Sequence, residues 1–104
     1  MIGATGTIGQ AVVRAFEGRH EVVRVGHSSG EHQVDIRGKG SIERLLETLG
    51  PFDALVSTAG QAKFGPLAEL SDADWDFCLS DKLMGQVNLV RAGLKHVREG
   101  GSFT

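Results

Sequence analysis

The sequence has one cysteine, two prolines and no tyrosine, and its charges nearly cancel. A lone thiol, Cys78, cannot close a disulfide within the chain, so nothing calls for an oxidising compartment. No apolar stretch approaches the ~20 residues that span a bilayer. No basic segment followed by a long apolar run marks a secretory leader. The expected compartment is therefore the cytoplasm, with no membrane partner. A formal net charge of −2 gives no electrostatic ground for binding nucleic acid. His20, His27, His32, His96 and Cys78 lack metal-ligand spacing, so no metal site is expected. With little proline and no low-complexity run, the chain also lacks the marks of disorder.

What it has in excess is glycine, 15 of 104 residues, about twice the usual ~7% share. The glycines punctuate an alternation of short apolar runs and helical patterns. Met1-Ile2 reads as a strand stub. Ile8, Ala11, Val12, Ala15 and Phe16 then fall on one helical face, with Gly18 as a left-handed stop. Val22, Val23 and Val25 form a β-branched strand ending at Gly26. His27 to Glu31 is a polar turn, and Gln33 to Ile36 a short strand. Ser41 is expected to cap a helix with Ile42, Leu45, Leu46 and Leu49 buried, stopped by Gly50-Pro51. Asp53 to Ser57 gives another strand, followed by the loop Thr58-Ala59-Gly60. Ser71 caps a long helix with Asp72 and Asp74 in its first turn. Its apolar stripe, from Trp75 through Leu79, Leu83, Val87, Val90 and Leu94 to Val97, is expected to run to about Glu99. Gly100-Gly101 would end it, and Ser102-Phe103-Thr104 would open one more strand.

Strand–helix–strand alternation implies a parallel sheet between two helical layers. With right-handed crossovers the expected fold is a Rossmann-like three-layer α/β/α domain over residues 1–104. Its strand order is 3-2-1-4-5, and the ligand crevice lies outside the carboxyl ends of strands one and four.

The motif Gly3-x-x-Gly6-x-x-Gly9 sits between the first strand and the first helix, the context a dinucleotide loop requires. Gly3 lets the chain turn sharply, Gly6 lets a pyrophosphate approach the backbone, and Gly9 lets the helix pack closely on the sheet. Free N–H groups at the helix start then hold phosphate, with Thr5, Thr7 and Ile8 adding loop contacts. No Gly-Lys-Ser/Thr follows, which argues against a Walker-type loop. After the second strand no carboxylate occurs before Glu31. His27, Ser28 and Ser29 could accept a 2′-phosphate there, which favours NADP over NAD, although His27 also reads as a plain loop histidine. Arg24 reads as a solvated side chain, and Cys78 as a buried structural thiol. His96 and Arg98 read as complements to a helix C-terminus. Lys82 reads either as a solvent-facing lysine or, if it faces the crevice, as a ligand for a water or phosphate.

Taken in order, GATGTIG, Val34-Asp35-Ile36, Ser57-Thr58-Ala59-Gly60 and the helix from Trp75 to Val97 (with SDKLMGQVNLV in it) resemble the short-chain dehydrogenase/reductases. The likeness covers essentially the whole chain and is strongest to compact bacterial members. It implies that Asp35 and Ile36 hold adenine and that Ala59 and Gly60 line the ribose of the nicotinamide half. It also implies a small-molecule substrate, and a homodimer through the helix 72–98. The sequence departs from the family at three places. Ser57 and Thr58 replace two asparagines, Lys82 stands where the family often has a catalytic-shell asparagine, and no Tyr-x-x-x-Lys pair is present. The catalytic residues are thus unknown from this segment. It is expected to be part of a domain of ~200 residues, with both its first and its last strand incomplete. The resemblance implies hydride transfer between a nicotinamide and a carbonyl or alcohol. The alternatives are an inactive dinucleotide-binding or sensing module, or a fragment with no function of its own.

Overall fold

The computed structural model describes all residues, Met1–Thr104. The regular elements are α1 (Thr7–Phe16), β1 (Val25–Gly26), β2 (His32–Gln33), α2 (Lys39–Leu49), β3 (Phe52–Leu55), α3 (Asp72–Cys78), α4 (Met84–Gly93) and β4 (Val97–Phe103). β1 pairs with β2 and β3 with β4, all parallel. The two pairs are joined by one residue, Ile2, which bridges Val25 on one side and Ser57 on the other, again in parallel. Counting the Ile2 segment as strand one, the order is 3-2-1-4-5, as the alternation implied. α2 and α4 pack against each other. Because the crossover into β1 runs one way across the sheet and those into β3 and β4 run the other, right-handedness puts α1 on the opposite face.

The core follows the periodicity. Ile42, Leu45 and Leu46 of α2, Leu89 of α4, and Ile2, Val25, Val34, Ile36 and Leu55 from the sheet side form one buried cluster. Gly85 and Gly93 of α4 let the helix sit close. A β-carbon at Gly85 would fall 2.8 Å from Ile36 Cδ1, and one at Gly93 would fall 2.6 Å from the Phe103 ring.

Several expectations change, besides the strands at Val22–Val25 and Asp53–Ser57, which are confined to Val25–Gly26 and Phe52–Leu55. Ser41 does not cap α2: the N-cap is Gly38, and Ser41 Oγ instead accepts the Asp35 N–H at 3.1 Å, tying the chain after β2 to the helix. The strand expected at Gln33–Ile36 is confined to His32–Gln33. Only five residues separate β1 from β2, far fewer than a helical crossover needs. The chain manages this because both strands are short and the Glu31 and His32 N–H groups both donate to the Arg24 carbonyl. Gly30, at φ +101°, has the backbone that the reversal requires.

The long helix is the third change. It does not run unbroken from 72 to 98. Leu79–Leu83 forms a π-helical turn between α3 and α4, and α4 ends at Gly93. After the His96 N–H closes onto the Gly93 carbonyl at 2.9 Å, Val97 pairs with Phe52. The fourth change is that Gly100-Gly101 does not stop a helix but lies inside β4. The register jumps from Phe52↔Val97 to Ala54↔Ser102, so the doublet forms a bulge. Gly100 sits at φ +76°, and a β-carbon at Gly101 would fall 2.5 Å from the Asp53 carbonyl. Arg98, expected near a helix end, hydrogen-bonds Asp53 across the strands at 2.8 Å.

α1 is seated by the first glycine motif. A β-carbon on Gly9 would lie 1.9 Å from the Gly3 carbonyl oxygen, so the helix can meet the strand end only without a side chain there. Gly9→Ala is expected to cost about 1–3 kcal/mol, the range of overpacked sites. In urea unfolding of the intact protein it lowers the midpoint; an unchanged midpoint would contradict this packing.

Candidate nucleotide-binding site

Three loops converge at the carboxyl edge of the Ile2 strand. The first is Gly3–Gly6. Gly3 takes φ +80°, and its N–H and that of Ala4 both donate to the Val25 carbonyl, at 2.8 and 3.0 Å. The chain then turns into α1, whose N-cap is Gly6, with no side chain on the free amides. The N–H groups of Thr7, Ile8 and Gly9 donate to no protein atom. The nearest atom to a β-carbon at Gly6 would be the Gly3 carbonyl oxygen at 3.5 Å, so the approach to those amides is open. Exposed Thr5, Thr7 and Ile8 rim it. Unpaired amides on the positive end of a ten-residue helix form a site that fits a pyrophosphate.

The second loop is His27–Gly30. A β-carbon at Gly26 would strike the Ser29 carbonyl at 2.2 Å and Thr5 Oγ1 at 2.7 Å. This loop therefore packs directly on the glycine loop. His27, Ser28 and Ser29 are all exposed. Glu31 turns away, its Oε1 accepting the Arg24 N–H at 3.0 Å, and the Arg24 guanidinium is paired with Glu17. No carboxylate is left free on this loop.

Asp35 and Ile36 follow. Ile36 is core, pressed on Gly85. The Asp35 carboxylate accepts from Arg37 Nε and an Arg37 Nη, each at 3.3 Å, and from the Arg37 N–H at 3.0 Å. The Arg37 hydrogen bonds hold the Asp35 carboxyl below the usual aspartate range, and the charges of Arg37 and nearby His27 act the same way. His27 and Asp35 thus flank one end of the crevice.

The third loop is Thr58–Gly60. It is pinned from three sides. Thr58 Oγ1 donates toward the Gly3 carbonyl at 3.2 Å and lies 3.4 Å from that of Ile2. Gln86 Nε2 donates to the Ala59 carbonyl at 2.9 Å. The Gln61 N–H donates to Asp81 Oδ1 at 2.5 Å. A β-carbon on Gly3 would meet the Ala59 nitrogen at 2.7 Å, so loops one and three touch. The Thr58 hydroxyl thus reaches the neighbouring strand despite replacing an asparagine. Ser57 Oγ, by contrast, is buried with no hydrogen-bond partner.

Beside Gly60 lies a cavity of about 400 Å³, walled by Gly60–Phe64 with Phe77 and Lys82. Lys82 projects from the π-helical turn across Gly60, and its Cδ would be 2.8 Å from a β-carbon there. The lysine is exposed to solvent, as its first sequence reading has it, and also lines this cavity. Lys63, Gln86 and Asp81 lie beside this loop and were not singled out by the sequence, whereas Phe77, at helical spacing from Trp75 and Met84, reads there as a ligand-box candidate or as packing. The i, i+4 pair Lys82 and Gln86, both directed at the Thr58–Gly60 loop, was the available signal. Cys78 is half-buried, with its Sγ accepting the Lys63 N–H at 3.1 Å. No group of His, Cys, Asp and Glu is placed to hold a metal, and no helix is long and apolar enough to cross a membrane.

The chain matches the family model described as short chain dehydrogenase over residues 32–102. It is 43% identical to the protein lin1944 from Listeria innocua, whose crystal structure superposes with a TM-score of 0.95 over 98% of this chain and 51% of that one. A small-chain dehydrogenase crystallised with NADPH is 29% identical, with a TM-score of 0.86 over 98% of this chain and 46% of its own. Among curated proteins, the 2,3-dihydro-2,3-dihydroxybenzoate dehydrogenase of Bacillus subtilis is 31% identical over 97% of this chain and 48% of its own length. The chain spans about half the length of these relatives.

Arg37→Ala is expected to raise the Asp35 titration midpoint toward the ordinary aspartate value. Because the folded-state pKa is depressed, the stabilisation from this contact is present above the unfolded-state pKa. It is lost as pH falls through the folded-state one. Carboxyl ¹³C NMR titration reads the shift directly; an Asp35 midpoint unchanged in the variant would contradict the contact.

Proposed function

This chain belongs to the short-chain dehydrogenase family, and we propose that its protein is a nicotinamide-dependent oxidoreductase that uses NADP in preference to NAD. The observation that carries the reading is the set of unpaired amides at Thr7, Ile8 and Gly9 behind an unobstructed Gly6. The backbone there is preorganised for a dianionic pyrophosphate. His27, Ser28 and Ser29, on a loop with no free carboxylate, receive the 2′-phosphate through hydroxyl and imidazole donors. Asp35 and the edge of Ile36 meet the adenine, and Ala59 and Gly60 line the ribose of the nicotinamide half.

When bound, the nicotinamide supplies or accepts the hydride, between itself and a carbonyl or alcohol of the substrate. What these residues do is bind and orient. The Gly3–Gly9 loop fixes the phosphates. The Gln86–Ala59 and Asp81–Gln61 hydrogen bonds hold the third loop so that its backbone presents one face to the crevice. None of them is placed as the proton donor. The competing reading, a sensing module without turnover, holds if the whole protein lacks a Tyr-x-x-x-Lys pair. It predicts nucleotide binding with no oxidation of any alcohol.

Gly6→Ser separates folding from binding. Serine is a preferred N-cap, so the variant is expected to be as stable as the parent or slightly more so. Its hydroxyl, however, takes the amides meant for phosphate, and NADPH affinity falls about tenfold or more. His27→Asp is expected to lower the NADPH-to-NADH affinity ratio at least about tenfold. Nucleotide fluorescence titration of the intact protein reads both; a Gly6→Ser protein with parental NADPH affinity would sink the assignment.

The same family membership supports a second proposal, a homodimer. The stripe Trp75, Leu79, Leu83, Val87, Val90 and Leu94 remains exposed, Leu83 by 53% and Leu94 by 63%. It runs along α3, the π turn and α4 and stops before residue 97. A second copy of the chain buries it. Leu83→Glu is expected to shift sedimentation of the intact protein from dimer to monomer; a monomeric parent would contradict the pairing.

A further inference from the structure

We propose that Lys82 and Lys63 make the cavity beside Gly60 a receptor for an oxyanion of the substrate, so that the substrate is a small carboxylate or phosphate ester rather than a neutral alcohol or ketone. The inference rests on the nucleotide reading above and adds the substrate's chemical class.

Four observations converge. First, the ion pairs of the structure use neither lysine, and neither ammonium donates a hydrogen bond to the protein. Both lysines line the same cavity, where an oxyanion would find two cationic donors. Secondly, the two acidic side chains near them are engaged elsewhere: the Asp74 carboxylate, which feels the Lys63 charge, accepts the Ser71 N–H and hydroxyl, and Asp81 is turned to the backbone. Asp81 is 8% exposed, and its Oδ1 accepts the Gln61 N–H. Thirdly, the lysines are positioned rather than loose. The Lys82 stem crosses Gly60, whose φ of +114° suits glycine, and its Nζ would stand 3.4 Å from a β-carbon there. Lys63 Nζ lies 5.6 Å from the centre of the Phe77 ring, an aromatic contact that favours the ammonium there, and Phe77 also lines the cavity.

The fourth observation concerns place. Each phosphate of the nucleotide already has its own receptor on the far side of Gly3. The pyrophosphate has the α1 amides, and the 2′-phosphate has the loop against Thr5. The lysine cavity lies on the other flank, next to the loop assigned to the nicotinamide ribose, where the reacting carbon of a substrate has to come. The π-helical turn at Leu79–Leu83 aims Lys82 there. Such turns are frequent at functional sites because they redirect one side chain without ending the helix.

The test uses the intact protein, with any residues that flank this segment, saturated with NADPH and held at constant ionic strength. Sodium acetate and inorganic phosphate are titrated while the amide resonances of Gly60 and Gln61 are followed by NMR. The expected result is a saturable shift with at least one of the two anions. Lys82→Met weakens the apparent affinity about tenfold or more, Lys82→Arg restores most of it, and NADPH affinity changes little in either variant. Shifts that do not saturate, or that Lys82→Met leaves unchanged, overturn the proposal. So does anion binding that NADPH abolishes, which would assign the lysines to the nucleotide's own phosphates. A parent protein that binds NADPH but no anion overturns this inference alone, and one that binds no NADPH overturns the functional reading with it.

Discussion

The structure depends on the backbone of Ile2 and Gly3. Ile2, 2% exposed, is bridged to Val25 on one side and to Ser57 on the other. On the β3 side it donates its N–H to the Val56 carbonyl and accepts that of Thr58; on the β1 side the Met1 carbonyl accepts the Val25 N–H and the Gly3 N–H donates to the Val25 carbonyl. At Gly3 the chain leaves the sheet with a left-handed turn, and its carbonyl oxygen lies where a side chain on Gly9 would have to be. One dipeptide thus sets the sheet's centre, the seat of α1 and the floor of the crevice. The glycine loop continues from it, the Thr58–Gly60 loop touches it through Ala59, and the His27–Gly30 loop packs on the glycine loop at Thr5.

That arrangement explains why the binding groups are mostly backbone. Fixed amides cost little reorganisation when a charged ligand arrives, and the helix dipole adds to them. The consequence is a conflict between folding and function at one position. A serine at Gly6 would cap α1 better than glycine does, yet it would occupy the amides that a phosphate needs. Glycine there leaves the helix start unsatisfied, as expected of a site meant to be completed by a ligand. On the other flank the chemistry is carried by side chains, Lys82, Lys63 and Phe77, which suits a subsite that discriminates among substrates.

Much of the layer order was legible in the sequence because β-branched runs and 3.6-residue periodicity report burial directly. Ile42, Leu45 and Leu46 fell in the core, and the Ser71 cap is present with its reciprocal Asp74 contact. What misled was local chemistry with more than one use. Ser41 has the identity of a cap but serves as an acceptor for Asp35. Gly100-Gly101 has the identity of a helix stop but forms a bulge in β4. The helix itself ends earlier, at Gly93, where the rings of Phe103 and Phe52 fill the space a side chain would take. The glycine loop could be read because its spacing is tied to backbone geometry. Lys82 stayed ambiguous because the π turn that carries it, Leu79–Leu83, leaves no periodic mark in the sequence. Lys63 and Phe77 are brought together only by the fold of the loop after Gly60.

The central claim is that the Gly3–Gly9 loop and the start of α1 hold the phosphates of a nicotinamide nucleotide. A crystal structure of the intact protein grown with NADPH tests it most directly. The account predicts the pyrophosphate within hydrogen-bond distance of the Thr7 to Gly9 amides, with the nicotinamide ribose against Ala59 and Gly60. A nucleotide bound elsewhere, or a crevice that stays empty at saturating NADPH, would contradict it.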